Sequence, residues 1–458
     1  MRAAILAIGD ELTRGETTDT NSPWIAARLG EMGIVTVEHR TVEDDREAIG
    51  TAVASLMRRV DVLVMTGGLG PTSDDLTRDA LGDVFNPGRE LIRDEDAVRW
   101  LQERYARRAA PMPQSNLVQT MRPISMRCMH NPHGTAPGLA GVGMPPDFRR
   151  RCHVFSLPGP PGEMKPMFVD HVIPALRACM EGLDAGTVAL SAQVHSFGIG
   201  ESRAAELLEG MMARDRAGNG LPVIGTTVSG GIVSARIRAR GQASVVKPLI
   251  DADVQDVERR WSPYAFGRDG VTLASATHVL LRQFRKTIAT AESCTGGLLG
   301  KLLVDPDGAS NSYVGGWITY SNEMKVEELA VPQELLALHG AVSAEVAVAM
   351  ASGALAKAGA DYALAITGIA GPDGGTPEKP IGTVFIALAS ATSGTPTHEV
   401  RRFAFTGDRE TTRLRSALAA IQMLRFALLR VSATTPLLWE MPVSGFSITQ
   451  PADVVSQS

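Results

Sequence analysis

The sequence is poor in cysteine and in aromatic residues, and it has no long apolar run. Only four cysteines occur among 458 residues, and no two of them stand in C-x-x-C spacing. A disulfide framework is therefore not expected. No apolar stretch reaches the roughly 18 residues that a membrane-spanning helix needs, and no apolar signal segment precedes the first strand-like run. These absences predict a reduced, cytoplasmic protein without a membrane partner.

The sequence also has no long block of charges of one sign. The formal net charge is −5, and the pI near 6.0 comes from mixed acidic and basic residues rather than from blocks of either. A nucleic-acid partner is therefore not expected. With 44% hydrophobic residues, the chain is long enough for two or three domains, each with its own core.

Strand-like and helix-like segments alternate near the start of the chain, which predicts a doubly wound, mostly parallel α/β sheet. The predicted secondary structure then changes to paired strands around a Gly-Gly turn. A third region again alternates strands with helices. We therefore predict domains at 1–172, 173–268 (a small α+β unit) and 269–430 (a three-layer α/β/α unit). Residues 431–458 lack a sustained period and are predicted to form a flexible tail.

Two acidic pairs follow predicted strands of the first domain, namely Asp10 with Glu11 and Asp74 with Asp75. The second pair follows the loop TGGLGPTS, whose glycines permit close backbone approach to an anion. Carboxylates beside a phosphate suggest a divalent cation that bridges the two. The alternative is that these acids only offset a helix dipole. The predicted nucleotide-binding residues are Gly67, Gly68, Gly70 and Thr72; the predicted metal ligands are Asp74, Asp75 and Asp10.

In the third domain, the stretch AESCTGG predicts a strand that ends near Ser293 and a helix that begins after Gly297. The amides of Thr295, Gly296 and Gly297 are candidates to stabilise an oxyanion. Lys325 follows a later strand by a few residues, and a desolvated lysine can act as a base for serine. Tyr320, at the end of that strand, is a candidate to relay a proton or to position the ammonium group.

Alternatives to the Ser293/Lys325 pair remain open from the residues alone. Spacing alone favours Lys325 as a solvated residue in a helix that Asn322 caps. Cys294 is the stronger intrinsic nucleophile, although adjacent residues at a strand end point to opposite faces, so that at most one of Ser293 and Cys294 faces a site. The segment MHNPH, with Cys128 nearby, lacks the fourth ligand of a zinc site.

The chain resembles the CinA family, the competence/damage-inducible proteins, from Met1 to about Arg430. The segments that carry the resemblance are GDELTRGETTDTNS, TGGLGPTSDDLTRDAL, NPHGTAPG and LPGPPGEM in the first domain, FGIGES in the middle one, and AESCTGG, YSNEMK, HGAVSAEVA and TGIAGPDGG followed by KPIGTV in the last. The resemblance implies a molybdopterin-binding-like first domain, a KH-type middle domain and a nicotinamide-nucleotide amidohydrolase as the last domain.

This resemblance implies two activities. The last domain is expected to convert nicotinamide mononucleotide into nicotinate mononucleotide and ammonia without a cofactor, and the first is expected to be a metal-dependent ADP-ribose pyrophosphatase. The alternative is that the first domain only binds a nucleotide or a pterin. A homodimer is also expected. The residues that match family positions are Ser293 (nucleophile), Lys325 (base), Tyr320 (its partner), and Thr367, Gly368 and Arg409 (substrate contacts).

The first domain departs from the family pattern at one point that bears on its activity. The family usually has a basic residue two positions after the asparagine of the segment SNLVQT, where this chain has Val118, and a PEGA turn where it has RPIS. If the basic residue holds a phosphate, its absence puts the pyrophosphatase activity in question but leaves the fold intact.

Overall fold

The computed structural model describes residues 1–107, 111–143, 151–180, 187–214, 221–391 and 396–443. The chain divides into two compact units. The first contains Met1–Ser191 with Ala239–Lys247, and the second contains Ala192–Arg238 with the chain from Pro248 onward. Among the described residues, no helix is both long enough and apolar enough to cross a membrane.

The first unit is built on a six-stranded sheet in the order β2-β1-β3-β8-β7-β6. The first four strands of that order are parallel, and the last two pair antiparallel. The strands are β1 (Arg2–Ile8), β2 (Val35–Val42), β3 (Val62–Thr66), β4 (Ile92–Arg93), β5 (Met121–Arg122), β6 (Met126–Met129), β7 (Gly138–Gly143) and β8 (Cys152–Leu157). Strands β4 and β5 form a separate two-stranded ribbon.

Helices cover both faces of this sheet because successive residues of its central strands point to opposite sides. Leu6 and Leu63 pack with the core on one face, whereas Ile5 and Val64 pack with the core on the other. The helices are α1 (Asp10–Thr13), α2 (Asn21–Glu31), α3 (Arg46–Met57), α4 (Thr77–Phe85), α5 (Glu95–Arg107), α6 (Pro161–Met167) and α7 (Ile173–Met180), with a 3-10 turn at Gln114–Thr120 and a π turn at Phe168–Val172. The predicted doubly wound fold is confirmed.

The middle region forms a four-stranded sheet in the order β10-β11-β9-β12. Its strands are β9 (Thr187–Phe197), β10 (Val223–Ser229), β11 (Ile232–Gln242) and β12 (Ala265–Arg268), and its helices are α8 (Glu201–Leu207), α9 (Glu209–Met212) and α10 (Ala243–Trp261). Strands β10 and β11 pair antiparallel around Gly230 and Gly231. Both glycines have positive φ, 60° and 92°, which a tight hairpin turn of this kind requires. The predicted α+β arrangement of this region is confirmed.

The last region contains a six-stranded sheet in the order β14-β13-β15-β16-β17-β18. Its strands are β13 (Ile288–Glu292), β14 (Tyr313–Ile318), β15 (Tyr362–Gly368), β16 (Thr383–Ser390), β17 (Thr397–Ala404) and β18 (Glu440–Met441). Strands β14, β13 and β15 are parallel, and the other three pair antiparallel along one side. The parallel strands therefore end at the same edge of the sheet.

Helices pack on both faces of this sheet and make it the middle layer of three. Helix α15 lies against one face, and α11, α12 and α16 lie against the other. The helices are α11 (Leu273–Phe284), α12 (Leu298–Val304), α13 (Asn322–Leu329), α14 (Gln333–His339), α15 (Ala344–Ala358) and α16 (Arg409–Leu428), with a 3-10 turn at Ala309–Asn311. The predicted α/β/α architecture is confirmed.

The middle and last regions share one hydrophobic core within the second unit. Phe197 and Phe266 of the middle sheet belong to the same buried cluster as the α11 and α16 side chains. Hydrogen bonds reinforce the contact, since Gln422 Nε2 donates to the Phe197 carbonyl at 3.2 Å. Most of the predicted middle domain therefore belongs to the same compact unit as the last one, whereas residues 173–191 and 239–247 belong to the first unit.

The segment that follows α16 is ordered as far as the structure describes it. Leu437 is buried in the shared core, the Leu438 amide donates to the Gly198 carbonyl, and β18 extends the sheet. The guanidinium group of Arg401, 1% exposed, binds Glu440 and two carbonyls of this segment. The predicted flexible tail thus does not begin at residue 431, because an apolar anchor and a buried ion pair hold the chain. Residues 444–458 of that prediction lie outside the described residues.

We expect Leu437→Ala to lower the free energy of unfolding of the second unit by about 2–4 kcal/mol, because it removes a buried side chain from the shared core. Leu338→Ala is the matched control, since Leu338 is 78% exposed, and it should change the free energy of unfolding by less than about 0.5 kcal/mol. Urea unfolding of both variants measures the difference. Equal values for the two would contradict the packing of this segment.

Candidate active site

Most of the predicted site residues of the second unit lie at one edge of its sheet, where the parallel strands end. Strand β13 ends at Glu292, and the next amide, that of Ser293, donates to the Ile366 carbonyl of β15. On the other side of β13, the Thr319 amide donates to the Glu292 carbonyl. Ser293 therefore lies between the ends of β14 and β15. This position is where ligands bind in open α/β sheets.

Ser293 and Lys325, predicted to act together, are in hydrogen-bond contact. Lys325 Nζ lies 3.2 Å from Ser293 Oγ. The Ser321 hydroxyl caps α13 by accepting from the Met324 amide, and this cap places Lys325 one turn into the helix with its side chain directed inward. Lys325 is 1% exposed and Ser293 is 8% exposed. The solvated lysine considered above is therefore wrong, and so is the Asn322 cap.

Two opposing effects act on the Lys325 amine. Nζ donates to the carbonyls of Thr319, Tyr320 and Ser321 at 2.9, 3.1 and 3.4 Å, and such acceptors favour the protonated form. Burial favours the neutral form, and it lowers the pKa of Lys325 below the ordinary lysine value of 10.5 although the Glu323 carboxylate opposes the shift. A neutral amine beside a serine hydroxyl can accept its proton.

Cys294 faces away from Ser293 and into the hydrophobic core. Its side chain is 6% exposed and belongs to the cluster under α12 and α16. Burial raises the pKa of the Cys294 thiol to about 12, so it carries almost no thiolate at neutral pH. The prediction that only one of the two adjacent side chains faces the site is confirmed, and that side chain is Ser293.

Tyr320 and Arg409 lie together at the outer rim. The Tyr320 ring is 62% exposed, and only its backbone carbonyl contacts Lys325. Its hydroxyl lies 3.4 Å from Arg409 Nη2, while Arg409 Nη1 donates to the Gly371 carbonyl at 2.7 Å. The structure thus brings the phenol to the arginine rather than to the lysine amine.

The loop between β13 and α12 holds its amides differently from the prediction. The Gly296 amide donates to the Ser293 carbonyl, and the Gly297 amide donates to a carboxylate oxygen of Glu292 at 3.0 Å. Of the three amides predicted to receive an oxyanion, only that of Thr295 makes no hydrogen bond to the part of the chain that the structure describes. Both glycines have positive φ, 56° and 92°, which explains the Gly-Gly pair.

Thr367 and Gly368 end β15 beside this loop. The Thr367 hydroxyl is buried and donates to the Ala341 carbonyl at 2.7 Å. A side chain at position 368 would meet Val384 of the adjacent strand at 2.7 Å. Close strand packing therefore accounts for the glycine without a ligand.

The first unit contains a second candidate site, a cavity of about 350 Å³ at the glycine loop. Its lining includes the loop residues Gly67, Gly68 and Gly70 and five carboxylates, those of Glu11, Asp44, Asp74, Asp75 and Glu163. No lysine or arginine lines it among the described residues. The cavity is therefore strongly acidic.

The predicted metal ligands of this cavity have differing surroundings. Asp75 accepts hydrogen bonds from the amides of Gly70 and Thr72, so it shapes the loop. Asp10 does not line the cavity; it accepts from the Asp44 amide and pairs with Arg14. Within the described ranges, no group of three or more His, Cys, Asp or Glu side chains could hold a metal ion. This holds for the MHNPH segment as well.

Sequence reasoning missed Asp44, Glu163 and Glu292. Asp44 follows β2, so the rule that placed Asp10 at a strand end could have found it. Its pKa is raised by burial and by the nearby carboxylates of Glu11 and Asp10. Glu163 stands in the segment LPGPPGEM, and its side chain accepts from Asn131 Nδ2 at 2.7 Å. No sequence pattern marked Glu292 as a buried carboxylate.

Two family models match the chain. The CinA C-terminal domain matches residues 271–428, and a probable molybdopterin binding domain matches residues 4–178. A CinA-like protein from Citrifermentans bemidjiense is 41% identical over 95% of this chain and 99% of its own length. A CinA-like protein from Geobacter metallireducens is 40% identical over 94% of this chain and its whole length.

The chain belongs to the CinA family. A solved structure of a competence-damaged protein (CinA) superfamily protein from Klebsiella pneumoniae covers 34% of this chain and 96% of its own, at 37% identity and a TM-score of 0.33. The matched domain of the CinA model contains Ser293, Lys325, Thr367 and Arg409. The whole site in the second unit therefore lies within the region that carries the family match.

Proposed function

We propose that the second unit is a nicotinamide-nucleotide amidohydrolase, which converts nicotinamide mononucleotide into nicotinate mononucleotide and ammonia. The observation that carries the proposal is the buried contact of 3.2 Å between Lys325 Nζ and Ser293 Oγ. Serine needs a base in order to attack a carboxamide, and a desolvated lysine can be that base. The resemblance of the motifs to nicotinamide-nucleotide amidohydrolases supports the choice of substrate.

In the proposed reaction, Ser293 Oγ attacks the carboxamide carbon while Lys325 takes the hydroxyl proton. Lys325 then returns this proton to the amide nitrogen, and ammonia leaves as the carbon–nitrogen bond breaks. Water attacks the resulting ester, again with Lys325 as base, and releases the acid and Ser293. The unpaired Thr295 amide is suited to stabilise the tetrahedral oxyanion. Arg409 would bind the nucleotide phosphate, because a guanidinium forms paired hydrogen bonds with phosphate oxygens.

Ser293→Ala should lower kcat for ammonia release from nicotinamide mononucleotide by at least about a thousandfold, because it removes the attacking atom. Cys294→Ala is the matched control at the adjacent position. It should retain kcat within about threefold, since the buried thiol is packed in the core. Enzyme-coupled ammonia detection measures both. Full activity in Ser293→Ala, or loss only in Cys294→Ala, would exclude Ser293 as the nucleophile.

The rate should also depend on pH in a defined direction. Lys325 acts in its neutral form, so kcat/KM should rise with pH and fall about tenfold per pH unit below the pKa of Lys325. Because burial lowers this pKa, the midpoint of the rise should lie below 10.5. Rates measured from pH 6 to 10 test this expectation. A flat profile across the whole range would argue against lysine as the base.

We also propose that the cavity of the first unit binds a phosphate-bearing ligand together with a divalent cation. The acidic lining favours this proposal, because five carboxylates without a basic side chain would repel phosphate unless a cation intervened. The described side chains form no ready three-ligand set, and a magnesium ion commonly takes one or two carboxylates plus phosphate oxygens. Asp44 and Asp74 are placed to contribute. The proposed activity is ADP-ribose pyrophosphatase.

ADP-ribose should bind the full chain in calorimetry with Mg²⁺ or Mn²⁺ but at least tenfold more weakly in EDTA. Asp44→Asn should weaken the cation-dependent binding, because it removes a cavity carboxylate. Asp83→Asn should not, because Asp83 pairs with Arg46 on the surface. Equal affinity in EDTA would refute the cation. Chromatography of the same samples shows whether ADP-ribose is cleaved. Binding without cleavage would identify a binding module rather than a pyrophosphatase.

A further inference from the structure

Glu292 is a buried carboxylate that the proposed reaction does not use. It is the last residue of β13, directly before Ser293, and it is 2% exposed. A buried charge of this kind is costly unless hydrogen bonds or an opposite charge compensate it. No lysine or arginine forms an ion pair with Glu292 within the described residues. The compensation must therefore come from elsewhere.

Backbone amides of α12 supply it. Glu292 Oε2 accepts from the amides of Gly297 and Leu299, both at 3.0 Å, and Oε1 accepts from the Gly300 amide at 2.8 Å. Three amide donors at the positive end of a helix can stabilise an ionised carboxylate. The same three bonds satisfy amides that a helix start otherwise leaves unpaired.

The location of this carboxylate distinguishes it from an ordinary helix cap. A capping side chain normally comes from the residue that begins the helix, and here that residue is Gly297, which has no side chain. Glu292 reaches the helix from the preceding strand, five residues earlier. Its bonds therefore join the end of β13 to the start of α12 and close the loop of Ser293, Cys294, Thr295 and Gly296 at its base.

We propose that Glu292 is a positioning residue for the nucleophile: its carboxylate fixes the loop so that Ser293 Oγ faces the Lys325 amine. The inference rests on the proposed function of Ser293. Two further contacts hold the loop itself. The Ser293 amide donates to the Ile366 carbonyl of β15, and Arg413 donates to the Thr295 carbonyl. Among the described residues, Glu292 is the side chain that ties the end of β13 to the amides at the start of α12. Its loss would let Ser293 move relative to Lys325.

The test measures kcat and KM of the full-length Glu292→Gln variant for ammonia release. Glutamine keeps the size of the side chain but presents an NH₂ group to at least one of the three amides, so one bond is replaced by a donor–donor contact. We expect kcat to fall about a hundredfold, because a displacement near 1 Å of a reacting group has an effect of that size. KM should stay within about twofold, because Glu292 is buried and its carboxylate binds the amides of the helix start.

Asp305→Asn is the matched control. It neutralises an exposed carboxylate at the other end of α12, where Asp305 pairs with Lys301, and it should leave kcat unchanged. Thermal unfolding of each variant gives the folded fraction under assay conditions. A kcat within threefold of wild type for Glu292→Gln, or a loss that only matches the unfolded fraction, would overturn the inference. If Glu292→Gln does not fold, Glu292→Asp replaces it in the same assay, and the same two outcomes would overturn the inference.

A second readout does not depend on the substrate. Phenylmethanesulfonyl fluoride transfers its sulfonyl group to an activated serine with loss of fluoride, and mass spectrometry measures the rate at Ser293. The rate should fall in Glu292→Gln as kcat does, and it should not fall in Asp305→Asn. If wild type labels but releases no ammonia, the proposed substrate is wrong, and the labelling comparison alone decides on Glu292. Equal rates in wild type and Glu292→Gln, or no labelling in wild type, would overturn the inference.

Discussion

The chemistry proposed for the second unit depends on the burial of one amine. Lys325 is removed from water at a strand edge where three backbone carbonyls and the Ser293 hydroxyl surround its nitrogen. The carbonyls stabilise the ammonium form, while burial destabilises it and lowers the pKa of Lys325 below its ordinary value. An exposed lysine at the same distance would stay charged at neutral pH and could not accept a proton. Burial therefore turns a common residue into a candidate base.

The same edge of the sheet explains why the other groups meet there. Three parallel strands end side by side, so Ser293, Tyr320 and Thr367 come together although up to 74 residues separate them in the chain. Glycines allow the loop after β13 to turn sharply, and Glu292 ties that loop to α12 through three amides. The loop that carries the serine is thus tied to the helix by the buried carboxylate at the end of β13.

The two candidate sites use opposite electrostatics. In the second unit the Lys325 amine is buried beside the Ser293 hydroxyl, and the guanidinium of Arg409 lies at the rim. In the first unit the cavity wall is acidic, and burial together with the nearby carboxylates raises the pKa of Asp44. A phosphate can approach the site of the second unit directly, but it can approach the acidic cavity of the first unit only together with a cation. This difference is the physical basis for assigning them different ligands.

Strand–helix alternation, the Gly-Gly loops and the motifs around Ser293 and Lys325 were sufficient to predict the fold class and the family from the amino-acid sequence. The sequence could not show which amides Glu292 occupies, that the Tyr320 phenol lies by Arg409, or that Asp44 and Glu163 line the cavity in place of Asp10. Nor could it show that Leu437 holds the segment after α16. Local pattern determines which residues form strands and helices, because periodicity is a property of neighbouring residues. Burial and partner choice depend on residues far apart in the chain, and only the tertiary structure decides them.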